Sequence, residues 1–121
     1  METKQKINTI KEIINKNKKG FTYKLTTLKP IKKNVGYCVG ITNLKGIYLK
    51  PLIKQLLTTI KSFKQIEKNL FIGGWFNKEN KTFYLDLTLI LKDKNTAIKT
   101  AKIFNQLAIF NLNKFEEIKT K

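Results

Sequence analysis

Apolar and polar positions alternate most clearly between Thr82 and Leu91. Phe83, Leu85, Leu87, Leu89 and Leu91 share one side of an extended segment, and Tyr84, Asp86 and Thr88 share the other. This predicts a strand with one buried face. A helical period appears first over residues 4–17, where Ile7, Ile10, Ile13 and Ile14 recur at three-to-four spacing. Asn17 to Gly20 then supplies a stop, with Gly20 suited to the turn. Residues 21–28 alternate and are rich in Thr and aromatics, and 35–42 alternate Val, Tyr, Val and Ile with Gly36, Cys38, Gly40 and Thr42. The two segments, separated by a turn containing Pro30, are expected to form a hairpin. The interleaved glycines predict that something packs close to that face.

A second helix opens at Lys50-Pro51, proline being tolerated in a first turn. Leu52, Ile53, Leu56, Ile60 and Phe63 form its apolar stripe, and Lys50, Lys54, Lys61 and Lys68 project from the opposite side. A third strand over 70–76 ends in Gly73-Gly74-Trp75-Phe76, and a polar turn leads into the 82–91 strand. Asp93 or Asn95 caps a third helix near 95–106, whose Ala97, Ala101 and Phe104 allow close approach to a sheet. Residues 107–112 read as a fifth strand, and 114–121 carry no clear pattern. The order is α-β-β-α-β-β-α-β. It implies an α+β fold, an antiparallel sheet of about five strands packed against helices, as a single domain over 1–121. No apolar block has the length of a signal peptide or a membrane span, so a soluble protein of a reducing, cytoplasmic compartment without membrane contact is expected.

Composition changes the picture in one direction. Of 121 residues, 25 are Lys and 8 are acidic, giving a formal charge of +17 with no Arg and no His. An AT-rich coding sequence explains part of the lysine excess, but not the scarcity of acids. Nor does it explain the asymmetry: residues 13–66 hold twelve lysines and no carboxylate, whereas from Leu70 on nine lysines face five acids. Such a surface attracts polyanions without reading sequence. The candidate contacts are Lys16, Lys18, Lys19, Lys29, Lys32, Lys33, Lys50, Lys54, Lys61 and Lys64. Lysine is a point charge on a flexible stem, so these contacts should be backbone-directed and salt-sensitive. The competing reading is a merely solvated face in a lysine-rich chain.

The same inventory excludes chemistry. Without His there is no Ser-His or Cys-His pair and no imidazole metal site. Without Arg there is no bidentate clamp on phosphate. The lone Cys38 cannot close an internal disulfide and reads as a small buried residue. The glycines lack phosphate-loop spacing, Asp86 has no second carboxylate beside it, and Glu116 and Glu117, adjacent in sequence, point apart. No cofactor and no small-molecule substrate is implied, and an enzyme is the least supported class. Gly73-Gly74-Trp75 suggests a bulge or close backbone approach beside a large anchor. Trp75 is read first as closing one end of the core and second as a contact hot spot. Tyr84, with Trp75 across from it, could stack bases if that face were open, although no RNP-type motif is present.

Residues 73–112 carry a resemblance. They run Gly-Gly-Trp, a polar turn, Phe-Tyr-Leu-Asp-Leu-Thr, an Asp-capped Ala-x-x-x-Ala helix, then Gln106-Leu107-Ala108-Ile109-Phe110-Asn111-Leu112. This resembles small accessory proteins of phages and mobile elements from AT-rich Bacteroidetes, with Asn111 standing where Asp is commoner. The resemblance assigns no catalytic residue. It implies a non-enzymatic inhibitor of host defence, of the anti-CRISPR type, binding an RNA-guided nuclease, its guide RNA or both. The alternative is a general RNA- or DNA-binding module. Either way the expected partner is acidic, a nucleoprotein nuclease or RNA.

Overall fold

The computed structural model describes residues 2–31, 35–114 and 116–120. In chain order the elements are α1 (Thr3–Lys16), β1 (Phe21–Lys24), β2 (Lys29–Pro30), β3 (Tyr37–Gly40) and β4 (Leu44–Gly46). They continue with α2 (Leu49–Lys61), a 3-10 helix (Lys64–Asn69), β5 (Phe71–Asn77), β6 (Thr82–Leu91), α3 (Lys94–Ile103), β7 (Ala108–Asn111) and β8 (Glu116–Lys119). The strands form one open antiparallel sheet in the order β2-β1-β5-β6-β3-β7-β8, with β4 also paired to β6.

The strand with the strongest alternation is the central one. Phe83, Leu85, Leu87, Leu89 and Leu91 of β6 set the buried face, and register carries that face across the sheet. Ile72 stands opposite Leu87, Val39 opposite Leu89, Tyr37 opposite Leu91 and Ile109 opposite Ile118. Residues directly opposite one another share a face. Helices α1 and α2 bury Ile10, Ile14, Leu52, Ile53, Leu56 and Ile60 against Ile72, Leu85 and Leu87. Helix α3 sets Ala97 and Ala101 on Val39 and Ile109. All three α-helices therefore cover the same face. Each fully buried Leu or Ile contributes about 1.5–3 kcal/mol, which makes this side the main source of stability.

Local signals explain the helix ends. Asn17 closes α1 by donating its side-chain amide to the Ile13 carbonyl at 2.8 Å. Gly20, at φ +142°, then turns the chain into β1. Asp93 caps α3, accepting the Thr96 N–H at 2.8 Å and the Thr96 hydroxyl at 2.7 Å. Helix α2 stops at Lys61, and Lys68 stands on the separate 3-10 helix rather than on α2.

Three expectations are corrected. The strand beginning at Phe21 ends at Lys24, because Leu28, at φ 53°, bends the chain back so that Lys29–Pro30 pairs with β1. Pro30 lacks an N–H and suits this terminal edge. The hairpin between the segments starting at Phe21 and Val35 does not form: β1 pairs with β5, and β3 pairs with β6 and β7. The long apolar faces of β5 and β6 outcompete local closure. Finally, among the described residues eight strands replace five, the additions being the two-residue β2, the three-residue β4 and the terminal β8.

Between β3 and β4 the chain carries a bulge. Gly40 pairs with Thr88 and Leu44 with Leu85, so four steps on one strand meet three on the other. Thr42 fills the gap in the ladder, its hydroxyl oxygen accepting the Leu87 N–H at 2.9 Å. Such an extra residue re-aims neighbouring groups, here beside Asp86.

Candidate functional site

Among the described residues the face opposite the helices carries no helix, and register places its side chains in cross-strand rows. Trp75, Tyr84 and Lys45 make one row. Thr22, Gly73 and Asp86 make the next, and Lys24, Phe71, Thr88 and Gly40 the third. Beyond it come Ile90, Cys38 and Phe110. Successive rows on one strand lie about 6.5–7 Å apart, twice the rise per residue.

Trp75 is the main departure from the sequence reading. It does not close the core: it is 44% exposed and stacks on Tyr84 with ring centroids 4.8 Å apart and planes 12° from parallel. The reason is parity. Ile72, Gly74 and Phe76 take the helix side of β5, which leaves Gly73 and Trp75 on the open side. The two glycines accordingly differ in kind. A Cβ at Gly74 would fall 2.6 Å from the Tyr84 carbonyl oxygen and 2.9 Å from the Phe21 ring. A Cβ at Gly73 would meet nothing nearer than 3.5 Å. The close approach foreseen for the glycine pair thus belongs to Gly74 alone, and the register of β5 with β6 runs without a bulge. Tyr84 is held by the Asn80 side-chain amide, which donates to its hydroxyl at 3.2 Å.

Asp86 stands in the row next to this aromatic pair, half-buried. Burial pushes its carboxyl up from the ordinary 3.8 to about 6, against the opposing effect of a backbone hydrogen bond from Leu44. Cys38 is also half-buried on this face rather than part of the core. Desolvation raises its thiol, outweighing a hydrogen bond with Thr88, and the nearby Asp86 charge raises it further. Cys38 is therefore held as the neutral thiol, the form that is a poor nucleophile. Gly40 leaves room for Gln106, whose side-chain oxygen would lie 3.3 Å from an added Cβ. This is the close packing that the interleaved glycines predict. Among the described residues no group of three or more Cys, Asp or Glu could hold a metal ion.

The described lysines of the acid-free window stand on several elements. Lys16, Lys18 and Lys19 stand at the end of α1 and just after it. The Lys18 carbonyl accepts the Phe76 N–H, and its ammonium lies 5.7 Å from the Phe76 ring centroid, next to the Trp75 end of β5. Lys54 and Lys61 join Lys6 around a cavity of about 620 Å³ between α1, α2 and residues 25–28. Lys50 opens α2 and Lys64 begins the 3-10 helix, both on the helical side. Lys29 joins Lys24 and Lys68 at a cleft of about 890 Å³ floored by Phe71 and Ile90, continuous with the open face. Lys32 and Lys33 lie outside the described residues. Among the described residues no ammonium comes within 4.0 Å of a carboxylate. Charge density alone missed Lys24 and Lys45. Lys24 pairs with Phe71 and Lys45 with Tyr84, and only these pairings bring the two onto one face.

No protein-family model, no curated protein and no solved structure matches this chain.

Proposed function

We propose that this protein is a non-enzymatic binder of single-stranded nucleic acid, RNA in the first instance, and that it binds on the open face of its sheet. The observation that supports the reading is the Trp75–Tyr84 stack on a face without helices, in a row that ends in Lys45. The face of the indole turned away from Tyr84 can take the π-face of any base, at about 1–3 kcal/mol per stacked base. Lys24 and Lys45 flank the platform, and Lys24, Lys29 and Lys68 continue it into the adjoining cleft. A strand lying across these rows would set its bases on Trp75 and Phe71 and its phosphates on the four ammonium groups. No guanidinium is available for geometric readout, so affinity is dominated by charge. Four phosphate contacts give a logarithmic salt slope of about −3 for single strands, or about a 50-fold loss between 50 and 200 mM salt.

Trp75 is the only tryptophan and so reports on its own site. Titrating the protein with single-stranded RNA should quench its fluorescence. Lys24→Glu/Lys45→Glu should weaken binding at least tenfold without loss of fold. Absence of quenching and of retention at 50 mM salt would remove the proposal. In the mobile-element setting that the resemblance implies, the same face would engage the guide RNA of an RNA-guided nuclease. Retention of such a nuclease should then require the guide and be lost in Trp75→Ala.

A further inference from the structure

The helical side of the molecule carries a groove that the open face does not use. Helix α1, helix α2 and residues 25–28 enclose a space of about 620 Å³. Small-molecule sites measure about 300–1,000 Å³. The lining residues recur at three-to-four spacing, so each helix turns one face to the groove: Lys6, Ile7 and Ile10 from α1, and Lys54, Leu57 and Lys61 from α2. Ile10 and Ile60 are buried in its floor, and Ile7, Leu25, Leu28 and Leu57 are partly buried around them. Leu28 is held in the left-handed region at φ 53°, its N–H donating to the Lys24 carbonyl at 2.8 Å. A leucine seldom adopts this conformation, and here it brings an apolar side chain to the groove. Lys6, Lys54 and Lys61 are exposed, and Glu67 is the one carboxylate among the lining residues. Among the described residues none of the three ammonium groups has a carboxylate within 4.0 Å.

We infer that this groove binds a medium-chain fatty acid, with its methylene chain on the apolar lining and its carboxylate among the three lysines. The inference is independent of the nucleic-acid reading, because it uses the opposite side of the sheet. Three features select this ligand class. An apolar lining rewards methylenes, each buried one being worth about a fourfold gain in affinity. Unpaired ammonium groups attract an anion and repel a cation. Lysine carries its charge on a flexible apolar stem, so it can follow a head group while covering the chain beneath it. Length then sets the kind of chain. The lining runs from Thr3 to Ile10 on α1 and from Lys54 to Lys61 on α2, seven residue steps on each, or about 10 Å. A peptide helix is about 10–12 Å across, as wide as this groove is long, so the space suits one extended alkyl chain better than a partner's helix. A nucleic-acid strand would meet the same lysines but gain nothing from the leucines and isoleucines between them.

The experiment is calorimetric titration of the full chain with octanoate and decanoate, below micelle-forming concentrations, at pH 7.5 and 50 mM salt. Decylammonium is the cationic control. One decanoate should bind per chain, octanoate about 15-fold more weakly, and decylammonium not at all. Trp75 emission should stay unchanged, because the indole lies on the other side of the sheet. Lys54→Glu/Lys61→Glu should weaken decanoate binding at least tenfold. Lys78→Glu/Lys92→Glu makes the same change of charge at exposed lysines outside the groove and should leave binding within about twofold of the native chain. Equal losses in the two double variants would mean attraction by net charge alone and overturn the inference. So would an affinity that does not rise from octanoate to decanoate, decylammonium binding as tightly as decanoate, or no binding of decanoate at millimolar concentration. Retention on phosphatidylglycerol vesicles with no binding of free decanoate overturns it as well, since the anionic head would then be a membrane's.

Discussion

Asp86→Asn is expected to stabilise the free protein at neutral pH, although it removes a charge from the protein's surface. Burial displaces this carboxyl from 3.8 to about 6. A displacement of that size corresponds to about 3 kcal/mol at a pH above both values. The sign follows from proton binding. Between about pH 4 and pH 6 the folded state holds a proton on Asp86 that the unfolded state has released, so stability falls as pH rises through this window. Above about 6 the folded carboxylate is ionised and the full cost is present. Asparagine carries no charge at any of these values and still accepts the Leu44 N–H. Its amide hydrogens need a partner at the open face, which lowers the expected gain to about 1.5–3 kcal/mol. The assay is urea unfolding followed by Trp75 fluorescence, for the native chain and the variant, at pH 4.0 and pH 7.5. Comparing the two proteins cancels the opposite contribution of Asp93, whose carboxyl is lowered by its hydrogen bonds to Thr96. The variant should gain at pH 7.5 and lose most of that gain at pH 4.0. A variant no more stable than the native chain at pH 7.5, or an advantage independent of pH, would refute the argument. The result bears on function because a group that destabilises the free fold and lies on the open face is one that a ligand can relieve.

The other expectations come from the same face. Trp75→Ala should cost about 1 kcal/mol, the value of one exposed aromatic stack, rather than the 3–5 kcal/mol of a core aromatic, as read by chemical denaturation. Gly74→Ala should destabilise strongly, by more than 2 kcal/mol, because its Cβ would fall 2.6 Å from the Tyr84 carbonyl oxygen, whereas Gly73→Ala should stay within about 1 kcal/mol of the native chain in thermal melts. Replacing Lys50, Lys54, Lys61 and Lys64 together by Glu should leave a folded protein, since all four are exposed. That variant should reduce RNA affinity less at 200 mM salt than Lys24→Glu/Lys45→Glu does, as measured by fluorescence titration.

The sequence made the sheet's central strand legible because apolar Phe83, Leu85, Leu87 and Leu89 of β6 alternate with Tyr84, Asp86 and Thr88. The same alternation placed Tyr84, Asp86 and Thr88 together on the far side. The helices were legible from their isoleucine and leucine stripes, and the start of α3 from Asp93. Strand pairing was not legible, since the partners of β1 and β3 are chosen by long-range apolar contact and not by the turn between them. β4 and β8 are short and mostly polar, and only their neighbours make them strands. Trp75 was misread because burial preference was given more weight than its parity with Ile72, Gly74 and Phe76. The lysines were ranked by local density, which favoured the exposed side of α2. Lys24 and Lys45 stand singly in sequence and acquire a common face only through β5 and β6.

The central claim is that the helix-free face is the binding surface, and amide chemical-shift mapping tests it most directly. With a labelled chain and a single-stranded RNA octamer at 50 mM salt, the largest shifts should fall at Lys24, Lys45, Phe71, Gly73, Trp75, Tyr84 and Asp86, with α1, α2 and α3 little moved. Shifts concentrated on the outer sides of α1 and α2, around Lys6, Lys54 and Lys61, with the β5–β6 rows unchanged, would contradict it.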